Sequence, residues 1–153
     1  MALYLVQHGK SLPKDLDPEK GLSEEGRQEV AKIAETAKFY GIHVSRIIHS
    51  GKTRARQTAQ IMASTLKPGL EIEESAGLKP LDDVAACAKN LKPESNAMLV
   101  GHLPFMEKLT AYLVTGSEQR PIFKFQNGGI LCLDKGPDEK SWVIKWSLSP
   151  NID

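Results

Sequence analysis

The sequence predicts an α/β fold: a single three-layer α/β/α domain over residues 1–153, with a mostly parallel sheet and antiparallel strands at one edge. Three observations carry this reading. Short, continuously apolar runs at Ala2–Val6 and Ala97–Val100 have the character of strands covered on both faces. Segments with helical spacing separate the strand signals, as βαβ crossovers require. After Ile130 the pattern changes to alternation, with Trp142, Ile144, Trp146 and Leu148 at period two.

Each element has its own local signature. The first strand is followed by a polar segment from Leu12 to Gly21, broken by Pro13 and Pro18, that predicts a surface loop. Ser23 is an N-cap for a helix whose buried stripe is Val30, Ile33, Ala34 and Ala37. Arg46–His49 predicts a short strand, and Ala55, Ala59, Met62 and Leu66 the apolar stripe of the helix after it, ended by Pro68 and Gly69. Glu71–Glu73 predicts a weak strand, and Val84, Ala88 and Leu91 a helix closed by Pro93. Pro104 suits the first turn of a helix carrying Phe105, Leu109, Tyr112 and Leu113. Phe123–Phe125, the turn Asn127-Gly128-Gly129 and Ile130–Leu133 predict a hairpin, and Trp142 and Trp146 are expected on one buried face of the last strand.

Composition narrows the function classes. Lys and Arg number 20 against 19 Asp and Glu, so no global basic field points to nucleic acid. Cys87 and Cys132 stand far apart, outside any Cys-x-x-Cys spacing, and indicate neither a disulfide framework nor a metal site. No basic leader precedes the first apolar run and no stretch reaches membrane-spanning length, which predicts a cytoplasmic protein with no membrane partner. Gly9-Lys10-Ser11 does not complete a P-loop, because Tyr4 stands where that motif needs glycine.

The chemistry is concentrated at strand ends. His8 follows the first strand and His102 follows Ala97–Val100, both where a strand gives way to a turn. Ligands in open α/β sheets bind outside the carboxyl ends of the strands, so these two belong to one candidate site. Arg54, in the run Ser50–Ala59 that opens the helix after Arg46–His49, joins them at the same edge. Helix N-termini there add backbone N–H donors, and the set predicts a phosphate ligand. Either histidine alone would suit a hydrogen-bonded strand terminus; the joint pattern selects the site. Lys52 and Arg56 read as a solvated helix face, His43 as exposed, and His49 as divided between pocket and structure.

His8-Gly9, Leu22-Ser23-Glu24-Glu25-Gly26, the run Ser50–Ala59 and Gly101-His102-Leu103-Pro104 together resemble the histidine phosphatase superfamily, and most closely its short phosphohistidine phosphatase branch, over nearly the whole chain. The resemblance implies a phosphatase without metal or other cofactor. It assigns His8 as nucleophile, Arg54 as oxyanion clamp and His102 as a further donor, with Gln7, Gly9 and Leu103 completing the phosphate-binding set. It implies as substrate a protein phosphorylated on histidine or, alternatively, a small phosphorylated molecule.

Two departures from the family pattern stand out. Gln7 replaces the arginine that precedes the nucleophile, and a neutral amide supplies no bidentate charged fork. Losing one preorganised donor at such a site slows catalysis by roughly 10²–10³-fold. The chain could then be a weak enzyme or a phosphate-binding module, unless Lys10 or Lys52 restores the charge. No acid-bearing motif surrounds Glu73, Glu74, Asp82 or Asp83, which favours a leaving group needing little protonic help, such as an imidazole.

Overall fold

A computed structural model describes residues 1–69 and 71–152. In chain order the elements are β1 (Leu3–Gln7), α1 (Glu24–Phe39), β2 (Arg46–His49), α2 (Thr53–Leu66), β3 (Glu73–Glu74), α3 (Val84–Ala88), a 3₁₀ turn at Pro93–Ser95, β4 (Ala97–Gly101), α4 (Phe105–Thr115), β5 (Ile130–Lys135) and β6 (Trp142–Leu148). The strands form one six-stranded sheet in the order β3-β2-β4-β1-β5-β6. β1, β2, β3 and β4 run parallel, while β5 and β6 add antiparallel at one edge.

Alternation along the central strands divides the core. Tyr4, Val6, Met98, Val100, Ile130 and Cys132 face α1 and α2, where they meet Val30, Ile33, Ala37, Ala55, Ala59 and Met62. Leu3, Leu5, Leu99, Leu131 and Leu133 face α3 and α4, against Val84, Phe105, Met106 and Leu109. Both faces are thus covered, which is why β1 and β4 read as unbroken apolar runs. Leu3, Leu5 and Leu131 are fully buried, and each such side chain contributes roughly 1.5–3 kcal/mol.

The helix ends follow from local chemistry. Ser23 Oγ accepts the Gly26 N–H and caps α1, and Asp83 does the same for Ala85 at α3. Lys67 and Gly116 close α2 and α4 in the left-handed conformation. α3 ends at Ala88 and does not extend to Leu91. β3 is Glu73–Glu74, displaced toward the C-terminus from the expected Glu71–Glu73.

Two expectations about the last third are corrected. Phe123–Phe125 is not a strand; its two rings pack edge to face at 4.9 Å, with Phe125 in the α3/α4 core, and the hairpin is instead β5–β6. Trp142 and Trp146 lie on opposite faces. The register slips between Cys132↔Trp146 and Leu133↔Ile144, so an irregularity at Lys145 turns Trp146 toward Tyr4 and Trp142 toward the other core.

Candidate active site

The register of the parallel strands assembles the site. Gln7 pairs with Gly101 across β1 and β4, so His8 and His102 leave adjacent strand ends, and the His8 N–H donates to the Gly101 carbonyl at 2.9 Å. Their rings lie 5.1 Å apart, centroid to centroid. His49 pairs with Val100, which brings Ser50 to the same edge and starts α2 beside it, with Arg54 in its first turn.

The His8 ring is held in one tautomer. Its Nδ1 is 2.7 Å from the Gly9 carbonyl, an atom that can only accept, so Nδ1 carries the proton. Nε2 is therefore a lone pair, and it accepts from Arg54 Nε at 3.3 Å. His102 is almost wholly buried, with Nε2 2.6 Å from Ser50 Oγ, which also accepts the Lys52 N–H at 3.3 Å. Its Nδ1 is buried and has no partner among the described residues.

Burial pushes the His8 imidazole down to about 4, with the Gly9 carbonyl opposing the fall and Arg54 and Lys20 adding to it. His102 goes down to about 3, again mainly by burial, reinforced by His8, Arg54, Lys52 and Lys20. Burial also lowers Arg54, which stays charged. At neutral pH the site thus holds two uncharged imidazoles and a fixed guanidinium.

A second ring of contacts fixes these groups. The hydroxyl of Thr58, fully buried on α2, accepts the Gly9 N–H at 3.0 Å and donates to the Arg54 carbonyl at 2.8 Å, tying the His8 turn to the helix that carries Arg54. Asn127 Nδ2 donates to the His8 carbonyl at 3.0 Å, and the Gly128 N–H to the Gln7 carbonyl at 2.8 Å. α2 has no side-chain cap, and while the Ala55 N–H bonds the Lys52 carbonyl at 3.1 Å, the N–H groups of Thr53 and Arg54 at the same edge have no partner among the described residues.

Of the remaining residues read from sequence, Gly9 has its N–H on Thr58 and its carbonyl on His8; its backbone positions the imidazole and keeps no donor for an anion. Leu103 borders a groove of about 620 Å³ with Gln7, Lys10, Lys124 and Phe125. The Gln7 side chain is buried there with its Oε1 unpartnered among the described residues. Lys10 does not restore the missing charge: its ammonium sits 2.9 Å from Glu25 and 3.7 Å from Glu29. Lys52 acts on His102 through its field. His49 is structural, its Nδ1 accepting the Gly51 N–H at 3.0 Å, and His43 is exposed.

The four candidate acids separate. Glu73 is held by Arg46 at 2.9 and 3.0 Å, Asp82 accepts the Lys79 N–H, and Asp83 caps α3. Glu74 alone lies at the site's edge, its carboxylate against Gly51. Among the described residues no group of three or more His, Cys, Asp or Glu is placed to hold a metal ion, and no helix is long and apolar enough to cross a membrane.

The family model for the histidine phosphatase superfamily, branch 1, matches residues 3–82. The chain belongs to that superfamily. It is 25% identical over 156 residues to the phosphohistidine phosphatase SixA of Escherichia coli K12, covering 98% of this chain and 94% of that protein. It is also 27% identical over 145 residues to an uncharacterized protein of Picosynechococcus sp., covering 89% of this chain and 86% of that one. Its fold matches the protein histidine phosphatase SixA complexed with tungstate, with a TM-score of 0.83 at 24% identity over 98% of this chain and 97% of that one. A mycobacterial glucosyl-3-phosphoglycerate phosphatase complexed with VO3 shares the fold at a TM-score of 0.69 and 16% identity, covering 95% and 97%. This member of the superfamily therefore resembles SixA along its whole length while carrying Gln7 before the first histidine.

Three residues at this edge carry no site signal in the sequence: Ser50 and Thr58 stand inside the run Ser50–Ala59 as its frame, and Asn127 has the character of a turn residue.

Proposed function

We propose that the protein is a phosphatase that removes phosphate from a phosphorylated histidine on another protein, through a phosphorylated His8. The observation that carries this reading is the His8 tautomer: Nδ1–H on the Gly9 carbonyl and the Nε2 lone pair beside Arg54. Nε2 attacks phosphorus, a P–N bond to His8 forms, and the P–N bond to the substrate breaks. A substrate ring protonated on its other nitrogen departs as neutral imidazole, so the step needs no carboxylic acid from the enzyme. Water then attacks phosphorus, takes its place on the phosphoryl group as inorganic phosphate, and releases His8. The Gly9 carbonyl assists this second step by the same logic, because it keeps Nδ1 protonated and lets His8 leave neutral.

The other groups act on the transferring oxygens. Such transfer depends mainly on positioning and on donors aimed at the charge. Arg54 supplies a guanidinium, and the first turn of α2 supplies N–H groups. Ser50, donating to His102 Nε2, leaves His102 Nδ1 protonated, an N–H whose missing partner is a phosphoryl oxygen. The groove beside Gln7 and Lys124 leaves room for a protein surface around the phosphorylated ring. The likeness to SixA, a named phosphohistidine phosphatase, and to the solved structure of the protein histidine phosphatase SixA complexed with the tetrahedral oxyanion tungstate supports the same substrate.

The test is a single-turnover reaction with a radiolabelled phosphohistidine protein, following phosphate release and acid-labile label on the enzyme. Both are expected in the wild type and absent in His8→Ala. Binding of tungstate with no release would replace the enzyme by a phosphate-binding module. The placement of Glu74 against Gly51 favours a second reading, in which that carboxylate protonates an alkyl leaving group. Efficient alkyl phosphate hydrolysis lost in Glu74→Gln would select it.

A further inference from the structure

The site described above holds one guanidinium where the family pattern has two arginines, because Gln7 is neutral and Lys10 is engaged by Glu25 and Glu29, while Lys52, at the start of α2, reaches only His102 through its field. A doubly charged phosphoryl group bound there would leave a charge imbalance in a largely desolvated pocket, which is costly. The loop between β1 and α1 contains the group that corrects it. We propose that Lys20 is an anion-holding residue of this site, its ammonium supplying from the loop the positive charge that Gln7 does not supply from the strand. The proposal rests on the phosphoryl-site reading above and adds a residue to it.

The placement is geometric. Residues on either side of Lys20 touch α2 around Arg54. Before it, Glu19 Oε2 accepts from Thr53 Oγ1 at 3.5 Å. After it, Gly21 lies so close to Gln57 that an added Cβ would come within 3.1 Å of that amide, and the Leu22 N–H donates to Gln57 Oε1 at 2.7 Å. Thr53 and Gln57 flank Arg54 along the same turn of helix, which puts Lys20 over the start of α2.

The loop is braced in that position. The Leu12 N–H bonds the Gly21 carbonyl at 2.8 Å, the Lys20 N–H bonds the Asp17 carbonyl at 2.9 Å, and the Asp17 carboxylate accepts from the N–H groups of Glu19 and Gly21. Lys20 itself has φ 52°, a left-handed conformation that an ordinary side chain adopts only where its surroundings impose it. It is half-buried and forms no ion pair among the described residues. Its charge depresses both His8 and His102, which agrees with a position facing both rings.

The experiment compares wild type, Lys20→Met, Lys20→Arg, Gln7→Arg and the double variant Gln7→Arg/Lys20→Met, all checked by thermal melting. Tungstate affinity by calorimetry and kcat/KM on a phosphohistidine protein are read in parallel. Methionine keeps the length of the lysine stem and removes the charge. Lys20→Met is expected to lose roughly 10²-fold in kcat/KM and to bind tungstate at least tenfold more weakly, with Lys20→Arg staying within tenfold of wild type. Gln7→Arg is expected to help the Lys20→Met background far more than it helps the wild type, since the two cations serve one charge. Equal tungstate affinity in wild type and Lys20→Met, or additive effects of the two positions, overturns the proposal. If no variant turns over the phosphoprotein, the phosphatase reading fails, and the tungstate series alone still decides the role of Lys20. A wild type that binds no tungstate overturns both.

Discussion

Thr58 links the two halves of the site through one hydroxyl. Because its Oγ1 serves the Gly9 N–H and the Arg54 carbonyl together, Thr58→Val removes both bonds at nearly constant volume and leaves a buried N–H unpaired. The expected loss is about 1–3 kcal/mol of stability in urea unfolding, with a fall in phosphoryl turnover at temperatures where the variant is fully folded. Thr58→Ser should recover most of both. His8, Arg54 and His102 were legible because strand-to-helix punctuation announces the edge to which they belong. Ser50, Thr58 and Asn127 were not, because each acts through a contact with a residue far along the chain, and spacing carries no record of such contacts. The commitment of the Gly9 N–H to Thr58 likewise exists only in three dimensions.

Among the elements, α1 meets the His8 turn more tightly than its amphipathic pattern suggests. Gly26 lies in its first turn directly over the Lys10 carbonyl, which accepts the Ser23 N–H at 2.9 Å. In an exposed helix, Gly→Ala adds roughly 1 kcal/mol of stability. Here the added Cβ would run into the Lys10 carbonyl, so Gly26→Ala is expected to destabilise the protein and lower its Tm, whereas exposed Gln28→Ala on the same helix should change it little. The elements themselves were largely readable: β1, α1, β2, α2, β4, α4 and β6 lie where periodicity put them. The exceptions have physical causes. Phe123–Phe125 has strand-like residues, yet its rings are satisfied by each other and by the core, with no ladder to join. The extra residue at Lys145 breaks the period-two rule for Trp142 and Trp146, and alternation alone cannot reveal a bulge within the strand.

For the molecule as a whole, the two buried imidazoles set how folding responds to acid. Each has a folded pKa below its ordinary value near 6.5, His8 at about 4 and His102 at about 3. The unfolded chain therefore binds more protons than the folded one, and stability present above pH 6.5 is lost as pH falls through the window down to about 4 and then 3. Each withheld proton steepens that loss by at most roughly 1.4 kcal/mol per pH unit. Urea midpoints taken between pH 7 and 4.5 should fall, and His8→Ala should flatten the slope. The sheet order has a different consequence, for the history of the chain. β1 is central, yet its neighbours β4 and β5 are encoded late: Tyr4 pairs with Met98 on one side and Cys132 on the other. During synthesis this buried apolar strand is made well before either of its hydrogen-bonding partners, so the growing polypeptide carries an unpaired strand edge until β4 and β5 have left the ribosome. The His8 site therefore comes into being only when the turn at Asn127, whose side chain holds the His8 carbonyl, has been made.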